Sequence, residues 1–334
     1  MSVGLALSGG GAKGAAHIGV LEALRDNNIK IDYISGTSSG SIVAALYAAG
    51  YTPNEILRII VKHTRNTSIL DYDKSAPFKF MKLLFSKKIN LSGFIKGDKL
   101  EYLIKEYMLE KNIKDISDFD MPIAVPIVNV KTGEVVYYTN NKVRNISIDS
   151  NEEDNQMIKY FESEDYVGKG IYKKEKHYDD IPEYRNSGDI SEIIRASISF
   201  PGVFRPKEIA DELYIDGGVR VNTPVNILKD MGAEKVIAVS FDCNKIDKKN
   251  LKNVIGITSQ AFDILTHEAS EEEQENADIN VRICTRNITL LDFSKSIYLA
   301  KKGYNLVNNN INYIKEKIGI EMWKISNNNC IINI

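Results

Sequence analysis

The sequence predicts an α/β fold, and three observations carry that expectation. Residues 3–8 read as a strand that runs into the loop Gly9-Gly10-Gly11-Ala12-Lys13-Gly14 and emerges into a helix with Ile18, Leu21 and Leu24 on one face. The same order returns at once. Ile31, Tyr33 and Ile34 mark a short strand, Gly36-Thr37-Ser38-Ser39-Gly40 a sharp turn, and Ile42, Val43, Leu46 and Tyr47 recur at helical spacing. Finally, 334 residues with 43% hydrophobic content suffice for one large core, so a single sizeable domain over residues 1–334, alone or with a cap, is expected.

Composition narrows the function classes. A formal net charge of −2 implies no face-wide excess of Lys and Arg, so no nucleic-acid partner is expected. Cys243, Cys284 and Cys330 lie far apart without metal-ligand spacing and read as reduced thiols, which leaves no disulfide framework and no metal site. The N-terminus passes from Met-Ser straight into Val3, Leu5 and Leu7 without the features of a signal peptide. No apolar run approaches the ~20 residues that span a bilayer. The expectation is a cytoplasmic protein, peripheral to membranes at most.

The first glycine loop has three readings. It is not a Walker loop, because Lys13 lacks the preceding Gly and the following Ser or Thr. Gly9, Gly11 and Gly14 do satisfy G-x-G-x-x-G, and Asp32 lies near the distance at which a dinucleotide fold places its ribose carboxylate, which makes a dinucleotide-binding oxidoreductase the alternative function. Yet Asp32 precedes its strand, whereas a ribose ligand belongs at the strand's C-terminal end. The third reading has the glycine N–H groups at the same sheet edge as Ser38, where they form an oxyanion hole. Lys13 then orients the loop or adds positive potential; its plain alternative is a solvated lysine at a helix start.

Further along, Thr52 as N-cap and Pro53 at the first position open a helix with Ile56, Leu57, Ile60 and Val61. Residues 74–88 mix Phe78, Phe80, Met81, Leu83, Leu84 and Phe85 with Lys74, Lys79, Lys82, Lys87 and Lys88. They read first as a cap helix packed over the core and second as a transient contact with a membrane surface, which motivates a non-catalytic lipid-binding protein as a further alternative. With Leu100, Leu103, Ile104 and Tyr107 on the next helix, a cap-like helical segment occupies about 65–115. Two strands at 123–130 and 135–138 flank the turn Lys131-Thr132-Gly133-Glu134. In residues 145–190 acidic residues outnumber basic ones twelve to six without sustained period, so this is an insertion or flap outside the core layers. A short helix at 190–197 and a strand ending in Asp216-Gly217-Gly218 follow, then a helix from Thr223-Pro224 to Met231 and a buried strand at 235–241. The rest reads as a helical extension over about 250–334: helix 252–277, strand 279–284, helix 296–317 and a frayed Asn-rich tail.

Gly36-Thr37-Ser38-Ser39-Gly40 has the G-x-S-x-G form of a nucleophile elbow, and Gly36 and Gly40 let the chain bend around Ser38. A serine hydroxyl needs a base in hydrogen-bond reach and preorganised donors for its tetrahedral intermediate. Asp216, at a strand end before Gly217 and Gly218, is one candidate base; its alternative is an Asp-Gly hairpin turn. Of His17, His63, His177 and His267, only His267 follows Asp216, so Ser38, Asp216 and His267 reproduce the chain order of an α/β-hydrolase triad. His267 falls in an acidic helical stretch that reads as a solvated face, which favours a dyad. An aspartate at its ordinary pKa of ~3.9 is a weak base, so the donors are expected to supply much of the rate.

The glycine loop, the elbow, Arg195-Ala196-Ser197-Ile198-Ser199-Phe200-Pro201 and Asp216-Gly217-Gly218, in that order, together resemble the bacterial branch of the patatin-like phospholipase family, over residues 3 to about 241 apart from the acidic insertion. The resemblance implies a three-layer α/β/α sandwich with a central, mostly parallel sheet. It implies a serine acyl-ester hydrolase acting on lipids, of phospholipase A or lysophospholipase type, with no metal or cofactor. Residue by residue it makes Ser38 the nucleophile, Asp216 its dyad partner and the Gly9, Gly10 and Gly11 backbone the oxyanion hole, with Lys13, Gly14, Gly36, Gly40, Gly217 and Gly218 as motif support. The family often carries Arg where this chain has Lys13.

Overall fold

Strand β1 (Val3–Leu7) is buried at all five positions, as a strand covered by helices on both faces must be. In the computed structural model of the chain, which describes residues 1–65, 71–73, 93–143, 182–242 and 254–320, β1 lies at the centre of one mixed sheet. Its parallel neighbours are β2 (Tyr33–Gly36) and β8 (Lys235–Phe241). Parallel pairing continues from β2 to β3 (Ile123–Asn129) and from β8 to β9 (Ile279–Ile283). β4 (Val135–Thr139) pairs antiparallel with β3 and carries β5 (Glu183–Arg185), in parallel, on its far edge. The described part of the sheet runs β5-β4-β3-β2-β1-β8-β9, with β7 (Glu212–Asp216) attached to β3 and β6 (Lys207–Ile209) to β7.

Helices cover both faces. On one face Leu5, Leu7, Ile34 and Val239 pack with α1 (Ala15–Asp26), α2 (Ser39–Ala48), α3 (Pro53–Thr64), α4 (Asp98–Glu110) and α5 (Ile190–Ser197). On the other, Ala6, Ala124, Val236 and Ala238 pack with α6 (Asn226–Asp230). Each fully buried Leu or Ile side chain contributes roughly 1.5–3 kcal/mol to this core. At the start of α3, Thr52 caps as expected: its hydroxyl accepts from the Glu55 N–H while the Glu55 carboxylate accepts from the Thr52 N–H at 2.7 Å. Among the described residues no helix is long and apolar enough to cross a membrane.

Two boundaries differ from the sequence reading. The acidic segment assigned to 145–190 ends inside the sheet, because Glu183–Arg185 is strand β5. Tyr184 stacks on Tyr137 at 5.9 Å, and the Arg185 guanidinium donates to the hydroxyls of Tyr138 and Tyr214. A polar edge strand has no apolar alternation to reveal it. The last third is likewise more than a helical extension: the strand expected at 279–284 is β9, which adds to the main sheet in parallel with β8. After α7 (Val254–Glu275) and β9, α8 (Ser296–Asn309) crosses α1 so closely that a Cβ on Gly19 would lie 1.8 Å from the Ala300 carbonyl oxygen. Helix α9 (Ile311–Lys317) follows where one helix over 296–317 was expected. The lysine-rich stretch 74–88, the insertion at 145–181 and the tail from residue 321 lie outside the described residues.

The feature that positions the site is an interruption along β3. β2 pairs with Ile123 and Ala124, and β7 pairs antiparallel with residues 127–129, on the same edge of β3. The two strands therefore run toward each other and stop head to head, with Pro126 between them. Proline there presents no N–H that would need a partner in the gap. The residues following β2 and ending β7 meet across it.

Candidate active site

Ser38 sits where β2 breaks into α2. Its backbone is at φ 53° and ψ −123°, a left-handed region that a side chain enters only at a cost of order 1–3 kcal/mol. Neighbouring bonds hold it there: the Thr37 N–H donates to the Leu7 carbonyl at 3.0 Å, the Thr37 hydroxyl to the Val221 carbonyl at 2.9 Å, and the Ser41 hydroxyl to the Ser38 carbonyl at 2.6 Å. The flanking glycines are sterically required. A Cβ on Gly40 would stand 2.4 Å from the Leu7 carbonyl oxygen, and one on Gly36 would stand 2.4 Å from the Gly40 carbonyl oxygen. Gly40→Ala is expected to cost about 1–3 kcal/mol by overpacking the elbow against β1. A lowered melting temperature, together with slower covalent labelling of Ser38, checks it.

Asp216 ends β7 opposite Ile127 and is 1% exposed. No hairpin follows: the chain turns once through a short 3-10 segment, Gly217–Val219. The Asp216 carboxylate accepts the Gly218 N–H at 2.8 Å and lies beside the Ser38 hydroxyl. Burial dominates its ionisation and pushes the pKa up to about 7, while the Gly218 N–H and the Ser38 hydroxyl hold it down. This corrects the expectation of an ordinary carboxyl near 3.9. A carboxylate that titrates near neutrality can take a proton from the hydroxyl it touches and return it later.

The glycine loop lies at the C-terminal end of β1, beside the elbow. Its first N–H is already engaged: Gly9 donates to both the backbone carbonyl and Oδ1 of Asn222, each at 3.1 Å. Of the three glycines expected to offer N–H groups to an oxyanion, Gly9 therefore has its N–H committed to Asn222. Among the described residues the N–H groups of Gly10 and Gly11 have no acceptor, and these two glycines line the space around Ser38. Gly14 lets Ser39 approach the start of α1, where a Cβ would stand 2.6 Å from the Ser39 hydroxyl. Gly217 and Gly218 keep the chain close to Pro126 and Asn222. Lys13 is 3% exposed and faces the cleft, so the solvated reading does not hold.

Two cavities meet at Ser38. One, of about 140 Å³, is apolar and runs along α2 past Ile42, Val43 and Leu46, walled by α3, α4 and α5 through residues such as Ile60, Leu103 and Ile194. The other, of about 40 Å³, is polar, lined by Lys13, Asn222, Ser240, Asp242, Thr266, His267, Ser270 and Gln274. Ser38, Phe200 and Leu290 border both. Asn222 and the polar face of α7 were not legible as site residues; their spacing of four, Thr266, Ser270 and Gln274, was the available signal.

The histidines separate clearly. His17 is fully buried beside Phe241; burial lowers its pKa to about 4, and Nε2 contacts the Ser8 carbonyl at 2.8 Å. A carbonyl only accepts, so Nε2 carries the proton and His17 supports the glycine loop. His63 contacts the Tyr107 hydroxyl at 2.9 Å. His177 lies outside the described residues. His267 does reach the wall of the polar cleft, on a helix whose Thr266, Ser270 and Gln274 are buried, so the expectation of a wholly solvated face is corrected. Among the described residues it makes no hydrogen bond to Ser38 or Asp216. Asp32 stands at the opposite end of the sheet from the glycine loop, accepting from the Val3 N–H at 3.0 Å and from Lys30 at 2.7 Å. The C-terminal end of β2, where a ribose would bind, is occupied by the elbow. The dinucleotide reading has no site.

An elbow serine against a buried acid, on a mostly parallel sheet with helices on both faces, defines the class of this protein. The family model for patatin-like phospholipase matches residues 5–229, and the chain belongs to that family. It is 28% identical to a patatin-like phospholipase domain-containing protein of Caenorhabditis elegans over 75% of this chain and 14% of that one. It is also 28% identical to the lysophospholipase nte1 of Aspergillus fumigatus, over 78% of this chain and 13% of that one. The chain thus spans about one seventh of the length of these curated relatives. Among solved structures, VipD from Legionella pneumophila aligns with a TM-score of 0.45 at 14% identity, over 93% of this chain and 67% of that one.

Proposed function

We propose that the protein is a serine acyl-ester hydrolase acting on lipids, of phospholipase A or lysophospholipase type, through a Ser38–Asp216 dyad. The observation that carries this reading is the Ser38 hydroxyl beside a buried carboxylate that titrates near neutrality, at the junction of an apolar and a polar cavity. Asp216 accepts the Ser38 proton as Oγ attacks the ester carbonyl. The oxyanion of the tetrahedral intermediate is held by the N–H groups of Gly10 and Gly11 at the start of a helical turn. Asp216 then gives its proton to the departing alcohol. A water, deprotonated by the same carboxylate, attacks the acyl-enzyme and releases the fatty acid. The apolar cavity along α2 takes the acyl chain and the polar cleft takes the leaving group.

The test is incubation of the full chain with a mixed lipid extract and a fluorophosphonate. Wild type should release free fatty acids and carry the label on Ser38; label elsewhere, or no fatty acid, would count against the assignment. Filling the acyl cavity gives an independent check. Leu103→Trp, at a half-buried wall position on α4, is expected to lower kcat/KM for long-chain esters by roughly tenfold or more while sparing short-chain esters, measured across a chain-length series.

A further inference from the structure

The motif Arg195-Ala196-Ser197-Ile198-Ser199-Phe200-Pro201 has no part in the chemistry above, yet it lies against both members of the dyad. We infer that Ser197 is a positioning residue: its buried hydroxyl fixes the backbone of Ser38 relative to the strand that carries Asp216, and so sets the hydroxyl-to-carboxylate contact. This rests on the dyad reading of the site.

The Ser197 side chain is fully buried at the end of α5. Its oxygen accepts from the Ser38 N–H at 3.0 Å, and its hydroxyl donates to the Pro126 carbonyl at 3.0 Å. The two bonds use the hydroxyl in one orientation only, since its single hydrogen is committed to the carbonyl. They bridge the gap where β2 and β7 meet. On one side is the nucleophile's own amide, which as the residue before a helix has no helical acceptor. On the other is the residue next to Ile127, the cross-strand partner of Asp216. The same turn also holds Asp216 directly, because the Asp216 N–H donates to the Ser199 carbonyl at 3.1 Å. Arg195 in turn fixes Ser199, its guanidinium donating to the Ser199 hydroxyl at 2.7 Å. A backbone at φ 53° persists only where its surroundings over-determine it, and Ser197 bonds the Ser38 backbone from outside its own strand and helix.

Removing the hydroxyl leaves two buried groups without partners and lets Ser38 Oγ move relative to the carboxylate. Misplacement on that scale lowers the chemical step more than binding. The test is steady-state kinetics of the full chain on a soluble short-chain acyl ester, across pH and well below the melting temperature. Ser197→Ala is expected to lower kcat by about 10²-fold with KM within about twofold. The Ser38 hydroxyl holds the Asp216 pKa down, so the inflection of kcat/KM should also move above its wild-type position. Ile29→Val, a conservative core change at the far end of α1, should keep wild-type kcat and inflection. Should Ser197→Ala fail to fold, Ser197→Cys keeps the shape, weakens both bonds and is read in the same way. A folded variant with unchanged kcat and inflection would overturn the inference, as would an equal loss in Ile29→Val. A Ser38→Ala control separates the two levels: hydrolysis surviving there removes the dyad reading and this inference with it, whereas a dead Ser38→Ala beside a fully active Ser197→Ala removes only the role of Ser197.

Discussion

The Ser38→Ala variant is expected to lose ester hydrolysis by at least about 10⁴-fold while keeping its fold. The loss is large because, in the proposed mechanism, the N–H groups of Gly10 and Gly11 have no oxyanion to stabilise without an attacking oxygen. Members of a nucleophile–base unit fail together, so removing Asp216 as well should add little. The fold should survive because the elbow is held by backbone groups and by Thr37, Ser41 and Ser197 rather than by the Ser38 hydroxyl. Release of fatty acid in single turnovers, with melting temperature as the control, measures both halves of the prediction.

Asp216→Asn is expected to have the second largest effect, about 10³-fold or more on kcat, because an amide accepts no proton from Ser38. It should also change stability with a definite sign. The folded-state pKa of Asp216 is raised from 3.8 to about 7, so the native state binds this proton more tightly than the unfolded chain does. Wild-type stability from this group is then greatest below pH ~4, falls as pH rises from about 4 to 7 and is lowest above that window. An asparagine does not ionise. The variant should therefore be more stable than wild type at pH 8, by up to about 4 kcal/mol from roughly three pKa units, and gain little at pH 4. Denaturant unfolding of both proteins at the two pH values checks this. A site that weakens the protein in order to hold a reactive carboxylate is an ordinary stability–activity trade-off.

The parts of this site that follow chain order were legible in the sequence. The two strand–glycine–helix units placed Ser38 and the glycine loop at one sheet edge, and Thr52 with Pro53 marked α3. What remained hidden depends on contacts between distant segments. Nothing in residues 33–36 or 212–216 says that these strands meet head to head along β3, which is what joins Ser38 to Asp216. The raised pKa of Asp216 follows from that burial, so composition near residue 216 pointed to an ordinary carboxyl. Gly9 looked equivalent to Gly10 and Gly11 because its engagement by Asn222 is a long-range bond. Strand β5 escaped because edge strands need no apolar face. The polar face of α7 was masked by the glutamates around it, one of which, Glu273, is itself half-buried and accepts from the N–H groups of Val225 and Asn226.

The central claim is that Asp216, not a histidine, is the base for Ser38. Titration alone does not decide it, since an ordinary histidine near pKa 6.5 and Asp216 near 7 give similar inflections. The most direct measurement is the pH dependence of fluorophosphonate inactivation in wild type and His267→Ala. The dyad predicts a rate that rises with pH up to an inflection near 7 in both proteins, with the His267→Ala rate close to wild type. A His267→Ala protein of normal stability that reacts orders of magnitude more slowly, or has lost the inflection, would contradict it and replace the dyad with a Ser38–His267–Asp216 triad.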